Sequence, residues 1–270
     1  VKLDPSNVVA LHDRGVARYD KHDYERAIAD FDQLVKSNVS MVVASSPKDR
    51  TAERQLGYDR GVASAPRQLK LNPSYAQAFN DRGLEFSSKG DFDKAIADYN
   101  QSIKINPSVG APYYNRANAF YGKRDLVRAL ADFDAAIKLD PKSALAYYDR
   151  GLTHYDQRDY DRAIADFDSA LRIDPKDAFA YYNRGLAQYG RSDFDRAIAD
   201  FSQAIKFDGK IALAFHNRGN AYARKRDYDR AIADLDQAIK LNGNASVAFN
   251  DRGLAYGAKG DLDRAIKDFD

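Results

Sequence analysis

The chain has 270 residues, 44% hydrophobic and 30% charged, enough to bury a sizeable core, and it carries no apolar run long enough to span a bilayer. Its 42 basic and 40 acidic residues leave a formal charge of +2, so no net field draws it to nucleic acid through counterion release. With no cysteine, disulfides, thiolate metal sites and a cysteine nucleophile are excluded together. The compartment stays open, with the cytoplasm slightly favoured for what reads as a water-soluble chain. The sequence opens on VKLDPS without Met, as a cut N-terminus would.

Self-similarity organises everything that follows. The tripeptides DRG, NRG and NRA place Gly15, Gly83, Ala117, Gly151, Gly185, Gly219 and Gly253 at a period of 34 (83 to 117 to 151, and onward), with a double step between Gly15 and Gly83. The whole chain therefore reads as one array with units at 8–41, 42–75, 76–109, 110–143, 144–177, 178–211, 212–245 and a truncated 246–270. Unit 42–75 is degenerate: Gly57, Gly61 and Pro66 stand where a helix wants Asp, Ala and a non-proline residue. The stretch SSPKDRTAERQ at 45–55 offers a serine cap with Pro47 at the first helical position, so a helix is expected to restart there off register. A loosened or altered joint between the first and third units is expected in consequence.

Each regular unit reads as two helices. In unit 144–177 the first runs from about Ala144 to Gln157. The second opens at the N-cap Asp159 and carries Tyr160, Ala163, Ile164, Phe167, Ala170 and Leu171 as an amphipathic stripe. Proline ends the second helix at Pro73, Pro107, Pro141 and Pro175, and Gly209 and Gly243 are expected to stop it in later units through a permissive backbone. Helices this short are marginal alone in water. Each pair must bury its stripe on its neighbours, which makes a one-dimensional stack.

These residues resemble the tetratricopeptide repeat (TPR). In the unit starting at Ala76, the family's aromatic, small and proline positions are filled by Phe79, Gly83, Phe86, Ala95, Tyr99, Ser102 and Pro107. The resemblance covers nearly the whole chain. It implies an all-α, right-handed α-solenoid, a superhelix of helical hairpins. The family's Leu at unit position 7 is Arg throughout (Arg14, Arg82, Arg116, Arg150, Arg184, Arg218 and Arg252), as in an NRG-bearing subclass. Pairing with a recurrent Asp, such as Asp98 or Asp166, in a partly buried ladder is expected.

Repetition also decides what the polar cluster around YYDRGLTHYDQRDYD (147–161) is for. Asp149 and Arg150 recur in kind along the array, and an active site is not built seven times along one rod, so they read as scaffold. Pairs four apart, such as Arg162 with Asp166 or Asp134 with Lys138, are worth about 0.3–0.5 kcal/mol each if exposed. His154 occupies an aromatic slot and is read as a packed or surface histidine rather than a catalytic one. His12 and His216 are too far apart for a shared metal site, and the Asp159/Asp161 pair reads as capping rather than a calcium loop. No catalytic residue, metal or cofactor is expected.

Function then rests on what varies. The resemblance implies that positions 2, 5, 9 and 12 of each first helix line the concave groove of the superhelix. Carried over, the central groove comprises Tyr114, Asn118, Tyr121, Tyr148, Leu152, Tyr155, Phe179, Tyr182, Leu186, Tyr189, His216 and Asn220. Tyrosine supplies large contact area and a hydrogen-bonding tip at low entropic cost, so a hydrophobic or aromatic peptide, or a helix, fits as ligand. The alternative for position 12 is that Tyr155 and Tyr189 swing into the core slots left by His154 and Gln188. Asn115, Asn118, Asn183 and Asn217 resemble part of the family's carboxylate clamp, but its lysines at positions 2 and 5 are missing.

The sequence thus reads as a non-catalytic protein–protein interaction scaffold binding a peptide or helix of a partner protein. Two other readings stay open. One is a self-assembling structural array, because both ends are expected to expose faces that are ordinarily stacked; the other is the targeting region of a larger enzyme. Neither nucleic acid nor membrane insertion is expected.

Overall fold

The computed structural model describes residues 8–30, 33, 73–242 and 245–270. The expected unit at 42–75, apart from its last residues, lies outside these, as does the helix expected at 45–55. Among the described residues every regular element is α-helical. The order is α1 (Val8–Asp20), α2 (24–30), α3 (Pro73–Ser88), α4 (Phe92–Ile105), α5 (Gly110–Gly122), α6 (Leu126–Leu139), α7 (Ala144–Asp156), α8 (Tyr160–Ile173), α9 (Ala178–Gly190), α10 (Phe194–Phe207), α11 (Ala212–Arg224), α12 (Tyr228–Leu241), α13 (Ser246–Lys259) and α14 (Leu262–Phe269). None is long and apolar enough to cross a membrane. The chain divides into two compact units, Val1–Pro141 and Lys142–Asp270.

In both units the helices form antiparallel hairpins (α3 with α4, α9 with α10), and each second helix then packs on the first helix of the next hairpin. This is an α-solenoid. The second helices begin where the chain predicts: Asp91, Asp125, Asp159, Asp193, Asp227 and Asp261 each accept a bond from the backbone N–H three residues on, satisfying one of the orphan donors of the first turn.

The core repeats with the sequence. A small residue and a large one alternate along each second helix, as in Ala95/Tyr99, Ala129/Phe133, Ala163/Phe167, Ala197/Phe201 and Ala231/Leu235, all fully buried. Each large side chain is worth about 1.5–3 kcal/mol of burial. The glycine of the NRG triplet admits that side chain. A Cβ on Gly185 would stand 2.8 Å from Phe201 Cε1, and one on Gly83 2.6 Å from Tyr99 Cε1.

The arginine ladder forms as expected. Arg82, Arg116, Arg150, Arg184, Arg218 and Arg252 each donate through Nε and Nη2 to both oxygens of Asp98, Asp132, Asp166, Asp200, Asp234 and Asp268, at 2.5–2.9 Å. Arg14 and Asp30 pair in the same way. The remaining Nη1 reaches back one repeat, from Arg184 to Asp168, from Arg218 to Ser202 and from Arg252 to Asp236. Except at Arg14, whose helix carries Leu11 there, each guanidinium also lies 5.2–5.7 Å from the ring at position 4 of its own helix.

Two expectations are corrected. Arg162, Arg196 and Arg230 pair with the capping Asp159, Asp193 and Asp227, because Asp166, Asp200 and Asp234 are already held by the arginine of the preceding helix. Gly209 is not the left-handed stop; its helix ends at Asp208 in extended backbone. The left-handed residue sits instead in the tight turn within each hairpin. It is His22, Arg124, Arg158, Ser192 or Arg226 at φ 60–64°, and glycine only at Gly90 and Gly260.

In the first unit the hairpin built on α3 packs directly on α1 and α2. Ala27 and Ile28 share a cluster with Tyr75, Ala78 and Phe79, and the Tyr19 hydroxyl donates to Asp81 at 2.8 Å across 62 residues of sequence. That separation is one full period longer than between the same two positions of consecutive repeats elsewhere.

Candidate protein-binding face

The predicted face residues fall in the two units separately. In the first, Tyr114, Asn118 and Tyr121 all lie half-buried on α5. The Tyr114 ring tilts onto Phe133 at 6.0 Å between centroids, and Tyr121 packs on the same cluster.

In the second unit the first helices α7, α9, α11 and α13 present four kinds of position. Position 2 is a line of exposed apolar side chains: Leu145 (62% exposed), Phe179 (56%), Leu213 (59%) and Val247 (62%). They make no demand on the fold and are open to a ligand.

Position 5 behaves differently. Tyr148 and Tyr182 are half-buried, tilted against the core rings of Phe167 and Phe201 at 5.8 and 5.9 Å. Their hydroxyls accept from Asn183 and Asn217, on the first helix of the next hairpin, at 2.8 and 2.9 Å. Burial pushes the Tyr182 phenol above its ordinary range. His216 continues the row by bonding Asp251 at 2.7 Å. In the first unit Asn115 bonds Asn80 likewise. Three of the four asparagines that resemble a clamp, Asn115, Asn183 and Asn217, therefore tie one repeat to the next.

Positions 9 and 12 complete the face. Leu152 and Tyr155 join Tyr148 in one cluster around Phe167, and Leu186 and Asn220 are half-buried at the equivalent place. Tyr155 and Tyr189 do not enter the slots at position 11. His154 and Gln188 keep them, at 8% and 7% exposed. Instead each tyrosine rests on the ring that opens its own second helix, Tyr155 on Tyr160 at 5.6 Å and Tyr189 on Phe194 at 5.2 Å.

His154 is placed where chemistry is hardest. Its Nδ1 has no partner among the described residues, and its Nε2 stands 3.8 Å from Asp166, a carboxylate already held by Arg150. Burial lowers its pKa below the ordinary histidine value.

Sequence reasoning missed one feature of this face. In the last two repeats position 12 is Ala223 and Gly257, and a cavity of about 350 Å³ opens there, lined by Tyr189, Asn220, Ala223, Arg224, Tyr228, Asp251, Leu254, Ala255 and Ala258. Asp251, at the repeat position of Asp149, accepts from His216 and also from Asn220, the latter at 3.0 Å. The loss of tyrosine at position 12 was the signal available beforehand.

Comparison with known proteins bears on the scaffold as a whole. Two family models, both described as tetratricopeptide repeat, match at residues 114–178 and 148–212 for one and 76–109 and 212–244 for the other, together more than half of the chain. No curated protein matches it. Among solved structures, a crystal structure of MamA is similar at 27% identity and TM-score 0.55, over 57% of this chain and 90% of that one. YrrB, described as "a TPR protein with an unusual peptide-binding site", is similar at 22% identity and TM-score 0.58, over 64% and 89%. PilF of Pseudomonas aeruginosa is similar at 17% identity and TM-score 0.63, over 72% and 88%. The matched models, the period and the hairpin stack agree: the chain belongs to the tetratricopeptide-repeat family.

Proposed function

We propose that this chain is a non-catalytic interaction scaffold that holds a segment of a partner protein against the face formed by its first helices. The observation that carries the reading is the exposed apolar line Leu145, Phe179, Leu213 and Val247, extended at position 9 by Leu254 (58% exposed). These side chains recur at the repeat spacing, lie outside every core cluster, and cost solubility unless something covers them. The half-buried Tyr148, Leu152, Tyr182 and Leu186 beside them supply the flatter, partly polar floor that an extended peptide or a helix meets. Tyr114, Asn118 and Tyr121 offer the same chemistry on α5. The recurrent charged residues are tied into the ladder, which supports a scaffold over an enzyme. YrrB's description as a peptide-binding TPR protein is in keeping with this reading.

The test uses peptides selected by display against the full chain. The double variant Phe179→Glu and Leu213→Glu should weaken them by at least about tenfold with the helical signal unchanged. Failure to select any peptide, or undiminished binding by the variant, would refute the reading.

A further inference from the structure

The cavity beside Ala223 can be read from the chain's own repeats. Where position 12 is tyrosine and the second helix of the same hairpin opens on an aromatic residue, the two rings pack together, as with Tyr155 on Tyr160 and Tyr189 on Phe194. Tyr19 shows the full arrangement. Its ring lies 5.7 Å from Tyr24, and its hydroxyl donates at 2.8 Å to Asp81, the position-6 residue of the hairpin stacked on it. The repeat at 212–245 keeps the ring, at Tyr228, and the hairpin stacked on it keeps the position-6 carboxylate, at Asp251; both line the cavity. The tyrosine itself is missing, replaced by Ala223.

We propose that this cavity is an anchoring subsite for an aromatic side chain of a bound protein segment, with tyrosine preferred over phenylalanine. The ring fills the space that Tyr155 and Tyr189 fill in their own repeats, against Tyr228 and Leu254. The hydroxyl donates to Asp251. That carboxylate takes its two bonds from His216 and Asn220 on Oδ2, so Oδ1 is left to accept a third. Charge selects for a neutral donor here: Asp251 disfavours an acidic side chain, and Arg224, whose guanidinium lies 4.9 Å from the Phe194 ring at the edge of the cavity, disfavours a basic one. The proposal rests on the groove reading above, because it assigns one subsite of the same face.

The experiment separates the two by using a probe that needs no partner. N-acetyl-tyrosinamide, N-acetyl-phenylalaninamide and N-acetyl-leucinamide are titrated into the full chain, and the methyl resonances of Ala223 and Leu254 are followed. Saturable shifts are expected, tightest for the tyrosine probe, roughly tenfold weaker for phenylalanine through loss of one hydrogen bond to a charged acceptor, and weakest for leucine. Ala223→Tyr supplies the missing ring from within and should abolish the shift at Leu254. Asp251→Asn, with the cavity kept, should bring the tyrosine and phenylalanine affinities together. Equal binding of all three probes, no saturable shift, or full binding by Ala223→Tyr would overturn the proposal. If Ala223→Tyr lowers the unfolding midpoint, the ring does not fit the cavity, and that also overturns it. Selected peptides that depend on Phe179 but not on Ala223 would retain the groove and reject the subsite. Probe binding with no selectable peptide would do the reverse.

Discussion

Replacing Arg184 by leucine, the residue the family ordinarily carries at this position, should be among the most damaging single changes in the chain. Arg184 Nε and Nη2 bond Asp200 at 2.7 and 2.6 Å, and Asp200 is 5% exposed. Leucine would fill much of the same volume but leave that carboxylate buried with neither donor. Removing one partner of a buried, bidentate pair costs about 3–5 kcal/mol, most of it the uncompensated charge rather than the lost attraction. Asp200→Ala is milder, at about 2–3 kcal/mol. The guanidinium it strands keeps Asp168, at 48% exposure, and a side chain itself 20% exposed to water. The double variant removes both charges and should cost less than the sum by about 2 kcal/mol or more, which is the coupling a double-mutant cycle isolates. Urea unfolding followed by circular dichroism reads each stability, and the single Arg184→Leu change should lower the thermal midpoint by roughly 6–12 °C. If Arg184→Leu is neutral, or if the two single effects simply add, the ladder does not stabilise the stack in the way argued.

The hairpin turns offer a gain instead of a loss. Arg158, Ser192 and Arg226 hold φ of 61, 64 and 62°, which costs an L-residue about 1–2 kcal/mol, offset by the 0.5–1 kcal/mol that glycine loses on ordering. Changing each to glycine should therefore stabilise by about 0.5 kcal/mol or more and add across the three sites, read as a rise in urea midpoint; Gly260→Ala, at φ 91°, should do the opposite. His154 governs the response to mild acid. Burial, and after it the positive Arg150 and Arg162, lower its pKa against the opposing pull of Asp166 and Asp159, so the unfolded chain takes up the proton first as pH falls. Stability should be full above about pH 6.5 and decline below it until the folded histidine also titrates. His154→Phe should flatten that decline and raise stability by about 1–3 kcal/mol, since it restores the slot's aromatic residue and removes an unpartnered buried nitrogen; an unchanged pH slope would count against this account.

The period of 34, the helix pairs, the aspartate caps and the arginine ladder were all legible in the residues, because each repeats and repetition averages out local exceptions. What eluded the sequence depends on competition between partners. Arg162 has Asp159 three residues before it and Asp166 four after, and only the packing of α7 shows that Arg150 has already claimed the second. The left-handed turn escaped notice because arginine and serine, not glycine, hold it in five of the seven hairpins that show it. The face was legible as a set of variable positions. Its division into exposed apolar residues at position 2 and tied residues at position 5 was not, since Tyr148 and Tyr182 look like free tyrosines until Asn183 and Asn217 are placed beside them.

Those lateral bonds have a mechanical consequence. From Tyr148 to Asn183, Tyr182 to Asn217 and His216 to Asp251, each hairpin of the second unit is fastened to the next at the floor of the proposed binding face, on top of the arginine that reaches back from behind. A surface fastened on both sides has little freedom to stretch. A ligand seated there as proposed would be selected by the distance between its side chains, as by a ruler, and the surface would give up little disorder on binding it.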